Sequence, residues 1–179
     1  MLNVYITDLS AYNSGYLVGE WVSLPINEDD LHDKVREILT NGASLCGEEE
    51  HEEYFITDWE FEDGIKLIDV SEYSNLDELN SKCDELSELD SDDLKKVSYL
   101  IENVGYDFED ALQKYDEVYI YENMTLIDVV EQYIDETVDM TNIPEIIANN
   151  IDFESISRDW EISGEFERID SDIYHFINC

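Results

Sequence analysis

Carboxylates are the groups this chain has in number: 47 Asp and Glu against 9 Lys and Arg and 3 His in 179 residues. Two acids can cleave a glycosidic bond when their carboxyls stand about 5 to 9 Å apart, but at this density such pairs arise by chance in any fold and single out none. Asp90-Ser91-Asp92-Asp93 opens like a calcium-binding loop. It lacks the glycine at the sixth position, and Ile101 stands where a bidentate Glu is needed. His32, His51 and His175 are isolated, without the spacing of a zinc-protease helix, and each reads as a surface or interface residue. Cys46, Cys83 and Cys179 are odd in number and widely spaced, which suits neither a disulfide framework nor a zinc site. None has an activating neighbour that marks a nucleophile. Gly15 and Gly19 match no phosphate loop or dinucleotide fingerprint and read as turn or bulge glycines. The reading is therefore no catalytic residue, no cofactor and no metal. The carboxylates themselves remain as the functional groups.

Their sum is a formal net charge of −38 and a pI near 4.1. Self-repulsion on that scale opposes compaction, so a chain that keeps it has a use for it. Duplex DNA carries one charge per ~1.7 Å of axis, so 38 charges match roughly 65 Å, or about 19 base pairs. The composition does not fit disorder: Leu, Ile, Val and Phe make up 29% of the residues, above the roughly 20% below which chains stay unfolded. Nor is the charge a tail, since residues 1–60, 61–120 and 121–179 hold 14, 18 and 15 acids. A folded body that is negative throughout must result. Nine basic residues leave no patch for direct nucleic-acid binding, and a basic partner is the natural complement. With no apolar run of about 18 residues, no membrane span is expected. The first residues also lack a signal-peptide pattern, so the expected location is the cytoplasm.

The elements that must carry these charges follow from periodicity. Strands are expected at 4–7, 17–24 and 54–61, with a turn at 12–15. A helix capped by Asn27 runs to about residue 40, with Gly42 as its stop, and residues 47–51 form an acidic loop. Ser74 and Ser91 cap two helices of the middle segment, the second ended by Gly105, and Asp107 opens a third. A strand returns at 118–121. Thr125 and Asp128 have capping-box spacing, and the helix behind them, to about residue 139, places Asp128, Glu131, Asp135 and Asp139 on one stripe. A short helix after Pro144, a helix capped by Asp152, and strands at 165–169 and 173–177 complete the chain. The fold class is α+β. Its expected domains are an antiparallel-sheet and helix unit at 1–65, a central helical bundle at 66–115, and a C-terminal α+β unit at 116–179. Trp21, Trp59 and Trp160 are expected in the core.

Three stretches carry a family resemblance. One runs from Val4-Tyr5-Ile6 and Asp8-Leu9 through Tyr12-Asn13, Gly15, Leu17, Gly19 and Trp21 to Leu24-Pro25. Glu53-Tyr54, Ile56, Asp58-Trp59-Glu60 form the second, and Ile151-Asp152-Phe153 through Arg158-Asp159, Glu161-Ile162-Ser163-Gly164 and Phe166 the third. Together they resemble antirestriction protein A (ArdA) over essentially the whole chain. The resemblance implies a DNA mimic from mobile elements. It further implies an elongated three-part fold, dimerisation through the C-terminal part, and occupation of the DNA groove in the methyltransferase–specificity core of type I restriction–modification enzymes. A homodimer would match on the order of 38 base pairs by the same charge density. The phosphate-mimicking groups would be Asp77, Asp84, Glu85, Glu88, Asp92 and Asp93 in the middle, then Asp128, Glu131, Asp135 and Asp139. Three alternatives stay open: a mimic aimed at a nucleoid protein or polymerase, a metal-dependent hydrolase, and a salt-adapted structural protein.

Overall fold

The computed structural model describes residues 2–61 and 67–177. The expected boundary at 65/66 and Cys179 lie outside these residues. The fold is α+β, with eight α-helices and two three-stranded antiparallel sheets among the described residues. The chain divides into two compact units, residues 1–108 and 109–179.

In the first unit β1 (Leu2–Asp8) is the central strand, flanked by β2 (Gly19–Leu24) and β3 (Tyr54–Phe61). Alternation sends Leu2, Val4 and Ile6 to one face, joined by Val22, Leu24 and Ile56, all buried. The long α2 (Glu28–Cys46) covers that face with Leu31, Ile38 and Ala43. Each such side chain taken from water contributes roughly 1.5–3 kcal/mol, which offsets the repulsion between the outward acids. After β3 come α3 (Leu76–Ser87), α4 (Ser91–Tyr99), a π-helical turn over Leu100–Val104, and the start of α5 (Phe108–Lys114). Asn80 of α3 clamps the chain leaving β2. Its amide donates to the Ile26 carbonyl and its oxygen accepts from Ile26 N–H, both at 2.8 Å.

Two expectations fail here for the same reason. Gly42 does not stop α2, which continues to Cys46 and ends at Gly47 in the left-handed region, φ 73°. Nor is His51 a surface residue, for it is buried. Both belong to a knot around Asp8. This fully buried carboxylate caps α1 (Leu9–Asn13), accepting from Ala11 N–H at 2.8 Å with Oδ1. Oδ2 accepts from His51 Nδ1 at 2.6 Å. Gly42 is the face of α2 against which the carboxylate lies, and a Cβ there would stand 1.9 Å from Oδ2. Gly42 therefore does the work of a close-approach glycine inside a helix.

The second unit begins with α5 and builds its sheet in the order β4 (Val118–Tyr121), β6 (Asp172–Phe176), β5 (Phe166–Ile169). Between β4 and β5 the chain forms α6 (Leu126–Thr137), a 3₁₀ turn at Met140–Asn142, α7 (Glu145–Ala148) and α8 (Phe153–Ser163). Leu126, Val129, Phe166 and Ile173 form its core, with Tyr121, Met124 and Trp160 packed against them. Trp160 stacks on Phe166 (centroids 4.5 Å apart) and Phe166 on His175 (4.1 Å). Burial holds the His175 imidazole below its ordinary pKa, so this stack favours the neutral ring. Trp160 is half-buried and packs against this core without being enclosed in it. Trp21 and Trp59 lie outside the expected core: they are 45% and 38% exposed. Trp21 lies edge-on against Tyr5, its β1 partner, 5.4 Å away.

Two stability outcomes follow from the knot at Asp8. Gly42→Ala should lower the unfolding free energy by about 2 kcal/mol or more, because a buried, hydrogen-bonded carboxylate must move. Gly47→Ala, in open space, should cost about 1 kcal/mol; equal urea midpoints for the two variants would contradict the packing. Hydrogen bonding to Asp8 raises the His51 pKa above its ordinary 6.5. Its stabilisation is therefore complete below about pH 6.5 and is lost as pH rises through the folded-state value. The stability gap between the native chain and His51→Gln should be wider at about pH 5.5 than at about pH 9 in urea titrations; a gap that widens with pH would contradict it.

Candidate carboxylate surface

Acidic residues first serve the scaffold. Helix N-termini leave backbone N–H groups unpaired and favour negative charge. Asp8, Asp90 and Asp152 meet these groups as N-caps, and Asn27 and Asn75 do so as amides. Both caps in the middle segment sit one residue away from the expected serines, at Asn75 after Ser74 and at Asp90 before Ser91. Thr125 and Asp128 form the expected capping box, with Asp128 Oδ2 accepting from Thr125 N–H at 2.8 Å. Hydrogen bonds from Thr125 hold the Asp128 pKa below the usual carboxylate range, and the N–H groups of Asp93 and Asp92 do the same for Asp90.

Other acids face outward on the same helices. On α3, Leu76, Leu79 and Cys83 turn inward. At 100° per residue Asp77, Asp84 and Glu88 fall within about 40° of one another on another side, with Glu85 beside them. All four are exposed. Cys83, buried, has its thiol pushed up to about 11 and stays protonated. In the first turn of α4, Asp92 is exposed and Asp93 half-buried; they pair with Lys95 at 3.3 Å and Lys96 at 2.8 Å. Asp77 accepts from His32 Nε2 at 2.9 Å.

On α6 of the second unit, Leu126, Val129 and Val130 are buried while Asp128, Glu131 and Asp135 are exposed. The last three share a stripe about 60° wide. Asp139 departs from the expected stripe. The helix ends at Thr137, Val138 is extended, and Asp139 caps the following 3₁₀ turn, accepting from Thr141 N–H at 3.1 Å. Its hydrogen bonds to Thr141 and Asn142 also hold its pKa low.

Cations are largely taken up close to home. Lys34, Arg36, Lys82, Lys95, Lys96 and Lys114 each lie against a nearby carboxylate. Such exposed pairs contribute little stability each, but they leave the acids in wide excess. Among the described residues, no three His, Cys, Asp or Glu are placed to hold a metal ion, and no helix is long and apolar enough to cross a membrane.

Comparison with known proteins adds one finding. The family model described as Antirestriction protein (ArdA) matches residues 4–175. A search of curated proteins found no match. The matched span takes in both sheets and all eight helices among the described residues, save the first two residues of β1 and the last of β6. The chain belongs to the antirestriction protein (ArdA) family, and its family role is that of an inhibitor of type I restriction enzymes.

Proposed function

We propose that this inhibitor acts as a DNA mimic, as a non-enzymatic homodimer in the cytoplasm, and occupies the DNA-binding groove in the methyltransferase–specificity core of a type I restriction–modification enzyme. The observation that carries this reading is the pairing of 47 acids with nine bases on an ordered α+β scaffold whose apolar faces turn inward. Acidic neighbours on one helix face stand about 5–6 Å apart, comparable to successive phosphates along a DNA strand. Asp77, Asp84, Glu85, Glu88, Asp92 and Asp93 on the first unit would face the enzyme's Lys and Arg in place of phosphates. Asp128, Glu131, Asp135 and Asp139 would do so on the second. No covalent step is involved. Attraction steers the encounter, and ionic screening weakens it.

Dimerisation through the second unit is supported by its exposed apolar side chains. Ile146 and Ile162 are each 76% exposed, and Ile147 56%. Exposure of such residues marks surfaces that meet a partner.

Three outcomes test the proposal. Affinity for a purified type I methyltransferase core should fall about tenfold or more between 50 and 200 mM salt, as it does for ligands held by many phosphate contacts; a flat response contradicts electrostatic mimicry. Reversing Asp84, Glu88, Glu131 and Asp135 together to Lys should abolish inhibition, whereas each single reversal should weaken it less than about tenfold. Loss of inhibition from one neutralisation would point to a discrete site. In sedimentation the chain should run as a dimer at micromolar concentration, and Ile146→Asp with Ile162→Asp should shift it toward monomer; a native monomer contradicts the dimeric form.

A further inference from the structure

The first unit holds a groove of about 610 Å³ that shares only Asp77 with the proposed carboxylate surface. One wall is α2, where Leu31, Val35, Leu39 and Ala43 recur every four residues and so line one side of the helix. That repeat spans twelve residues, about 18 Å at 1.5 Å per residue, the length of five or six extended residues. The chain entering β3 contributes Glu49, Glu50 and Glu52 to the rim. Asp77 also lines the groove, and the basic groups there, His32 and Arg36, are paired with Asp77 and Asp33. The floor is apolar: Leu31 and Ala43 are buried, and Val35 and Leu39 half-buried. His51 also lines the groove. Its Nδ1 is committed to Asp8, while its buried Nε2 has no aligned hydrogen-bond partner, the nearest carboxylate oxygen being that of Glu48 at 3.2 Å. That nitrogen is shielded from solvent and faces the Glu48 carboxylate, so the ring fixes the groove's inner wall.

We propose that this groove docks a short basic peptide segment of a protein partner, with an apolar side chain on the α2 floor and flanking Lys or Arg on the acidic rim. Charge complementarity selects this occupant. An anionic ligand is repelled by the rim and by a net charge of −38, and a second copy of the chain brings the same charge. A bare cation leaves the apolar floor uncovered. Asp77 lines the groove and also belongs to the proposed phosphate-mimicking set, whereas Glu49, Glu50 and Glu52 do not, so rim variants at those three test the groove apart from DNA mimicry.

The test uses the full ¹⁵N-labelled chain and three probes: a lysine-flanked heptapeptide with a central leucine, the same peptide with serine in its place, and free indole. The leucine peptide should saturate and shift the amides of Val35, Leu39 and His51, binding about tenfold tighter than the serine peptide. Leu39→Lys and the exposed rim variant Glu50→Lys should each weaken it at least about threefold, while leaving the spectrum of the second unit unchanged. Several results overturn the proposal: no saturable shift at millimolar peptide, equal binding of the leucine and serine peptides, shifts spread over α3 and α6 instead, or indole moving the groove amides as strongly as the peptide. The last would make it a small-molecule site.

Discussion

Mutual repulsion among carboxylates is the constraint on which the rest of this structure turns. An excess of 38 negative charges over 179 residues works against any compact state. The chain answers it by separating faces. Val4, Ile6 and Leu24 meet Leu31 and Ile38 in one core, and Leu126, Val129, Phe166 and Ile173 close the other. Acids are then kept outside or placed at helix N-termini. There the macrodipole and the unpaired N–H groups turn a carboxylate from a liability into a cap. Asp90, Asp128 and Asp152 are each stabilising where they stand, and each stays ionised to lower pH than usual for that reason.

Asp8 is the exception, an acid drawn wholly inside. A buried ion costs several kcal/mol unless its oxygens are met. Here a helix-start N–H meets one oxygen and a histidine ring the other, and a glycine from α2 makes the room. The knot joins β1, α1, α2 and the chain entering β3, segments that are far apart in sequence. Removing one partner would leave the carboxylate uncompensated, which makes it a point of specification rather than of net gain.

How much of this could be read in advance depended on how local each signal was. The strand at 54–61 and the capping box at Thr125–Asp128 were legible because alternation and a three-residue spacing carry them. The α+β class followed from such segments. Gly42 has the local signature of a helix stop, but the reason for it, Asp8, lies 34 positions earlier, and no local pattern links them. His51 sits in an acidic stretch that reads as solvated loop, and only the fold turns its ring inward. Residue type alone favours the core for Trp21, yet it lies on an edge strand and covers Tyr5 from outside. Asp139 belonged to the helical stripe by arithmetic, but its carboxylate bonds its own following turn, a competition with helix that aspartate often wins. Of the carboxylate surface, its existence was legible from charge alone. Which acids pair with Lys95, Lys96 or His32 was not.

The scaffold and its surface together suggest a simple division of labour, in which caps and cores hold still what the outward acids present. Fixed carboxylates need no ordering when a basic groove closes on them, and this preorganisation favours binding. The most direct test of that claim is equilibrium competition between this chain and a duplex bearing the recognition sequence for one purified type I methyltransferase core. The account predicts mutual exclusion, with each ligand raising the apparent Kd of the other in proportion to its concentration. A ternary complex of enzyme, duplex and this chain, with duplex affinity unchanged, would contradict it.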